Sequence, residues 1–135
     1  IVLCLVGSEM CIRDRALTEL RKIPNPKLSN TNSDITIYEF FDYNCGYCKS
    51  VMQNIFNIYK KDKKVEIVFV EYPILSNSSL SAAIASLAAR NQKKYFEFHS
   101  KLMKHTGKID DKLLLSFAND LKIDAKKLDR QIEWL

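Results

Sequence analysis

The sequence has no internal repeat, no low-complexity run and no long stretch of uninterrupted apolar residues. Its apolar start, residues 1–6, is too short for the core of a signal peptide and far too short for a membrane span. Apolar residues nevertheless make up 47% of the 135 positions, an ordinary value for a globular protein, which argues against disorder. We therefore expect a single domain with its own hydrophobic core.

The sequence also lacks the residues that most metal sites need. Past the first fifteen residues it has two cysteines, Cys45 and Cys48, and no second C-x-x-C or paired histidine motif. A structural zinc site needs four ligands, and the six-residue separation of His99 from the other histidine is not a common ligand spacing. Met52 and Met103 lie far apart, which argues against copper. We predict no metal and no other cofactor, and we expect His99 to be a packed or capping side chain.

Positive charge is in modest excess and is scattered. Lysine and arginine number 21 against 16 acidic residues, a net charge of +5. A nucleic-acid surface would combine basic residues with exposed aromatics on one face. The lysines of residues 60–64 instead suit a polar loop between a helix and a strand. No nucleic-acid partner is predicted.

The first fifteen residues are predicted to differ in origin from the rest of the chain. Residues 5–15 resemble the translation of a transposon-end adapter that is used in preparing sequencing libraries. We therefore expect residues 1–15 to be adapter-derived and an N-terminal export signal to be missing. Cys4 and Cys11 are then not candidate functional residues, and the genuine chain begins near Ala16.

Apolar spacing predicts a strand–helix–strand unit after a lead-in segment, residues 16–33, which has one helical turn near residues 17–22. Residues 35–41 are apolar on both faces, as in a central strand, and residues 45–59 form an amphipathic helix. Residues 65–72 form the next strand. This spacing fits a right-handed parallel crossover.

After Pro73 the apolar spacing becomes helical, with Asp110 and Asp124 as candidate N-caps. Four stripes follow: Leu80, Ile84, Leu87 and Ala88; Phe96, His99, Leu102 and Met103; Leu114, Phe117, Ala118 and Leu121; Leu128, Ile132 and Leu135. We predict an α/β fold with a βαβ core at residues 34–75 and a helical block at residues 76–135. No closing strands follow, so we expect the chain to stop before the C-terminal strands of the fold.

The motif Cys45-Gly46-Tyr47-Cys48 stands where the first strand turns into a helix, which is the context of redox cysteines. At a helix N-terminus, unpaired N–H groups and the macrodipole favour the reactive thiolate. We predict that Cys45 is an exposed nucleophile and Cys48 a buried resolving thiol. Gly46 and Tyr47 would set the redox poise, or Tyr47 would only contact substrates. A static disulfide or half of a zinc site is the alternative for the pair.

Glu39 is the third candidate residue. Strand alternation places it on one face with Ile37 and Phe41, where a lone carboxylate is costly unless it is paired or protonated. It would accept a proton from Cys48 or tune the thiols through its charge. A surface glutamate on an edge strand is the alternative.

Residues 39–49 resemble the active-site strand and helix start of the DsbA-like thiol-disulfide oxidoreductases. Residues 71–75 resemble the exit of that family's next strand, and parts of residues 82–99 resemble the start of its helical insertion. The resemblance implies a thioredoxin-like fold with an inserted helical domain, and it matches Glu39 to the family's buried acid. The family's cis-proline loop has no counterpart in this chain.

The resemblance also implies a function. It implies a periplasmic protein that exchanges disulfides with exported proteins and is re-oxidised by a membrane partner of the DsbB type. We expect a dithiol oxidase. The alternatives are a disulfide isomerase or reductase kept reduced by a DsbD-type partner, and a non-enzymatic periplasmic chaperone or copper-handling protein.

Overall fold

A computed structural model describes residues 8–124, which form five helices and a small sheet. In chain order the elements are α1 (Ser8–Lys22), β1 (Lys27–Leu28), β2 (Ile35–Phe41), α2 (Gly46–Lys61), β3 (Val65–Glu71), α3 (Asn77–Arg90), α4 (Tyr95–Lys104) and α5 (Asp111–Asp120). The predicted βαβ unit and the helices after Pro73 are present. The mixed α/β fold is confirmed.

The sheet has the strand order β1-β3-β2. β2 and β3 are parallel, with Ile35 opposite Val65 and Phe41 opposite Glu71, as the crossover predicted. β3 is apolar and buried along most of its length, whereas Ile35 and Phe40 on β2 are about half exposed. Within residues 8–124, β3 is therefore the middle strand and β2 an edge, which differs from the central place expected for β2.

The segment before β2 holds more structure than the single predicted turn. α1 runs from Ser8 to Lys22, because no proline or glycine interrupts these residues and Pro24 has no N–H to continue the helix. β1 is only two residues long and pairs antiparallel with β3. Such a short strand depends on its distant partner, so local spacing did not predict it.

The helical block packs on one face of the sheet. Helix α3 presents a row of buried alanines, and α4 buries Phe98, His99 and Leu102 completely. Asp110 caps α5 by accepting a hydrogen bond from the Leu113 N–H at 3.0 Å, as predicted. These side chains join Phe41, which ends β2, in one core.

Two sequence predictions fall on residues outside the described part of the chain. They are the helix with Leu128, Ile132 and Leu135, and the first part of the adapter-like segment, residues 1–7. None of the helices between residues 8 and 124 is long and apolar enough to cross a membrane.

Candidate functional site

Cys45 is the N-cap of α2, so the motif stands at the helix N-terminus as predicted. Its sulfur accepts a hydrogen bond from the Cys48 N–H at 3.4 Å. Its carbonyl accepts from the Lys49 N–H at 3.1 Å, and its own N–H donates to the Asp42 carbonyl at 3.0 Å. The sulfur thus takes the place of the oxygen that usually caps a helix, and it faces the positive end of the helix.

The pKa values of the two thiols are shifted in opposite directions. The pKa of Cys45 is lowered, first by a hydrogen bond from the Cys48 thiol and next by the Cys48 N–H. The pKa of Cys48 is raised, chiefly by burial and also by its bond to Cys45 and the charge of Glu39. Both side chains are half-buried and both are free thiols. The directions of the two pKa shifts suit a nucleophile and a resolving thiol. The predicted contrast between an exposed Cys45 and a buried Cys48 is not found, because both side chains have intermediate exposure.

Glu39 lies opposite Phe69 on the neighbouring strand and faces the helical block. Its Oε2 is buried and has no hydrogen-bond partner among the described residues. Burial raises its pKa from 4.5 to about 6. This inward carboxylate has the burial and the raised pKa that a proton acceptor in the core would have, and its charge acts on Cys48.

The residues between the cysteines point into solvent. Tyr47 is 87% exposed, and a Cβ added at Gly46 would meet nothing within 4 Å. Gly46 thus has no side chain to act on the thiols, and the Tyr47 ring lies mostly in solvent. The Tyr47 N–H does help to lower the Cys45 pKa.

An apolar surface surrounds the cysteines. A cavity of about 130 Å³ opens beside them. It is lined by Phe40, Phe41, Asp42, Cys45, Cys48, Tyr72, Ile74 and Leu75. Ile74 is 67% exposed and Leu75 56% exposed, so the apolar rim is open to a second molecule.

Asp42 was not predicted as a site residue, yet it holds the active-site turn. Its Oδ1 accepts from the Asn44 N–H at 2.7 Å and the Ser79 hydroxyl at 2.7 Å. Its Oδ2 accepts from the N–H groups of Ile74 and Leu75, each at 3.0 Å. One carboxylate therefore joins the turn before Cys45 to the loop after β3 and to α3. An aspartate directly after an apolar strand was the available signal.

A second missed feature is a buried set of four side chains, which we call the tyrosine–glutamate cluster: Tyr43, Glu71, Tyr95 and His99. The hydroxyls of Tyr43 and Tyr95 both donate to Glu71 Oε1, each at 2.8 Å. The Tyr43 hydroxyl also lies 3.0 Å from His99 Nδ1. His99 is a packed side chain, as predicted, and its hydrogen-bond partner, Tyr43, comes from the turn before Cys45.

The cluster has little contact with water. Burial raises the pKa of Glu71 to about 8 and lowers that of His99 to about 4. Both groups are therefore largely neutral near pH 7. Within residues 8–124, no group of three or more His, Cys, Asp and Glu side chains could hold a metal ion.

These features define a class, a thioredoxin-like α/β fold with two thiols at a helix N-terminus. A family model described as "Thioredoxin" matches residues 24–133. The chain belongs to this thioredoxin family. No curated protein sequence matched it.

Solved structures agree with this fold. A thioredoxin-like oxidoreductase from Silicibacter pomeroyi DSS-3 is 41% identical, with a TM-score of 0.78 over 83% of this chain and 65% of that one. The thiol-disulfide exchange protein alpha-DsbA2 from Wolbachia pipientis is 28% identical, with a TM-score of 0.76 over 95% of this chain and 72% of that one. The catalytic domain of Proteus mirabilis ScsC shares the fold, with a TM-score of 0.74 and 21% identity over 90% of this chain and 77% of that one. The chain thus spans 65% of the length of the Silicibacter protein.

Proposed function

We propose that the protein is a thiol-disulfide oxidoreductase that works through Cys45 and Cys48, with Glu39 in support, as a dithiol oxidase. The observation that carries the proposal is the Cys45 sulfur at the N-cap of α2 with its pKa lowered. A stabilised thiolate favours the reduced pair, which makes the disulfide oxidising. The similarity to a thiol-disulfide exchange protein supports the same chemistry.

The reaction has two steps. A substrate thiolate attacks Cys45 Sγ in the Cys45–Cys48 disulfide, a mixed disulfide forms, and Cys48 leaves as a thiolate that takes up a proton. A second substrate thiolate then attacks the substrate sulfur, and Cys45 leaves as a thiolate. Two electrons pass from the substrate dithiol to the cysteine pair, and the substrate gains a disulfide.

We propose protein thiols as the substrates. The apolar rim beside the cysteines, formed by Phe40, Tyr72, Ile74 and Leu75, is suited to an extended peptide, and the exposed Tyr47 adds a further contact surface. By family resemblance we place the protein in the periplasm, with a membrane partner of the DsbB type to re-oxidise it. Gly46 and Tyr47 would then act through substrate contact and backbone geometry.

The direct test is the equilibrium of the Cys45–Cys48 pair in graded glutathione buffers. We expect a potential nearer to about −120 mV, the value for DsbA, than to about −270 mV, the value for thioredoxin. A strongly reducing value would favour the reductase or isomerase alternative. If the pair did not exchange with glutathione at all, the proposed function would be rejected in favour of a chaperone or metal-handling role.

Glu39→Gln tests the role of the buried acid. When glutathione disulfide oxidises the reduced protein, Cys48 must lose its proton to attack the mixed disulfide at Cys45. The Glu39 carboxylate is ionised above about pH 6 and can accept that proton, so the wild-type rate of this oxidation should rise with pH through this value. The variant should exchange about tenfold more slowly at neutral pH and lack that rise. Stopped-flow exchange rates across pH would measure it. Glu66→Gln, on the opposite face of β3, is the control, and identical profiles for Glu39→Gln and wild type would remove Glu39 from the mechanism.

A further inference from the structure

The three residues before Cys45 are each tied to other elements of the fold. Asp42 binds the loop after β3 and α3. Asn44 donates through Nδ2 to the hydroxyls of Ser76, Ser78 and Ser79 at 2.8 to 3.1 Å. Tyr43 binds β3 and α4 through the tyrosine–glutamate cluster. The position of Cys45 therefore depends on contacts that begin far from it in sequence.

The Tyr43 hydroxyl has two hydrogen-bond partners in the cluster. Its one proton goes to Glu71 Oε1, and in that arrangement the oxygen accepts from Nδ1–H of a neutral His99. His99 Nε2 and Glu71 Oε2 are buried without partners among the described residues. The other charged groups that act on the cluster are Asp42, on Glu71, and Glu39, on Tyr95.

Packing restrains the Tyr43 ring as well as its hydroxyl. The ring is 1% exposed and makes edge contacts with Phe41 and His99 at centroid distances of 5.2 and 5.6 Å. Such contacts leave a side chain little freedom to shift. The Cys45 N–H to Asp42 carbonyl bond spans Tyr43, so a movement of Tyr43 moves this turn.

We propose that Tyr43 is a positioning residue for Cys45: its hydrogen bond to Glu71 holds the turn so that the Cys45 sulfur stays within reach of the Cys48 N–H. This inference rests on the proposed function and adds a residue to it. The bond from Cys48 N–H to the sulfur is 3.4 Å long, and a small displacement of the turn would weaken it.

The chain offers a matched pair of variants. Tyr43 and Tyr95 both donate to the same oxygen of Glu71 at 2.8 Å, but Tyr95 begins α4 and lies outside the active-site turn. Tyr43→Phe and Tyr95→Phe each remove one phenol hydroxyl and one bond to Glu71, and Tyr43→Phe also removes the bond to His99 Nδ1. Both should lower the denaturation midpoint. Only Tyr43→Phe should change the thiol chemistry.

The two readouts are the Cys45 pKa, from the ultraviolet absorbance of the thiolate, and the glutathione equilibrium constant. For Tyr43→Phe we expect the pKa to rise by about one unit and the equilibrium to shift about tenfold toward a less oxidising pair. Tyr95→Phe should leave both unchanged. Equal shifts in the two variants, or no shift in Tyr43→Phe, would overturn the proposal.

A second variant covers a failure of Tyr43→Phe to fold. Glu71→Met removes the shared acceptor and should raise the Cys45 pKa in the same direction, and an unchanged pKa would overturn the proposal. The pKa is measured on the reduced protein alone. If wild-type protein showed no glutathione exchange, the proposed function would fail while the pKa comparison would still decide the role of Tyr43.

Discussion

Replacing Cys45 with serine should abolish thiol exchange, with a loss on the order of a thousandfold or more. A hydroxyl at this position cannot form the mixed disulfide, and the remaining Cys48 has a raised pKa and a partly buried sulfur. Cys48→Ser should behave differently. It keeps the acidic Cys45 thiol, so the attack proceeds, but the mixed disulfide cannot be resolved from within the protein.

Mass spectrometry of each variant after incubation with a disulfide-containing peptide separates these outcomes. Cys48→Ser should accumulate a stable adduct at Cys45, and Cys45→Ser should accumulate little or none. The control is the double variant Cys4→Ser and Cys11→Ser, which should exchange at the wild-type rate. An adduct mapped to Cys48 in Cys45→Ser, formed as fast as the Cys45 adduct in Cys48→Ser, would reassign the nucleophile to Cys48.

Glu71→Gln should make the protein more stable than wild type at alkaline pH. The folded state holds the Glu71 proton up to about pH 8, whereas the ordinary pKa of a glutamate is 4.5. Folding therefore favours the protonated form, and stability is lost as pH rises through the folded pKa. Between pH 6.5 and 8 the advantage of the variant should grow by roughly 2 kcal/mol, about 1.4 kcal/mol for each pKa unit.

Urea denaturation at several pH values measures this difference. This pH range lies at or above the pKa values of two other buried groups. The pKa of His99 is 6.5 ordinarily and about 4 in the folded protein, and that of Glu39 is 4.5 ordinarily and about 6 in the folded protein. Glu97→Gln, on the exposed side of α4, is the control and should follow the wild-type curve in parallel. A constant difference between Glu71→Gln and wild type would show that Glu71 is already ionised in the folded protein.

Local signals made much of this fold predictable. The C-x-x-C motif after an apolar strand placed Cys45 at a helix start, and the apolar spacing located α3, α4 and α5. Asp110 was predicted as a cap because its hydrogen bond joins residues three apart. The inward orientation of Glu39 was also predictable from neighbouring residues, because side chains alternate between the two faces of a strand with a period of two residues.

The features that were missed depend on contacts between distant residues. Tyr43 meets Glu71 and His99 at separations of 28 and 56 residues, and β1 exists only because it pairs with β3. The residue types alone did not predict these long-range contacts. A tyrosine beside an active-site motif is equally consistent with a solvent-facing ring, and only the packed helical block makes it a buried donor.

The N-cap of α2 is the same sulfur atom that we propose reacts. An N-cap typically stabilises a helix by about 1 kcal/mol, and a charged sulfur interacts with the helix dipole more strongly than a neutral one. When Cys45 joins a disulfide it loses its charge, so α2 has a weaker cap in the oxidised protein. The free energy of folding and the redox equilibrium of the cysteine pair are then linked in one thermodynamic cycle. Whatever free energy the cap adds to the reduced fold also drives the disulfide to accept electrons, so a more oxidising protein must also be less stable in its oxidised form than in its reduced form.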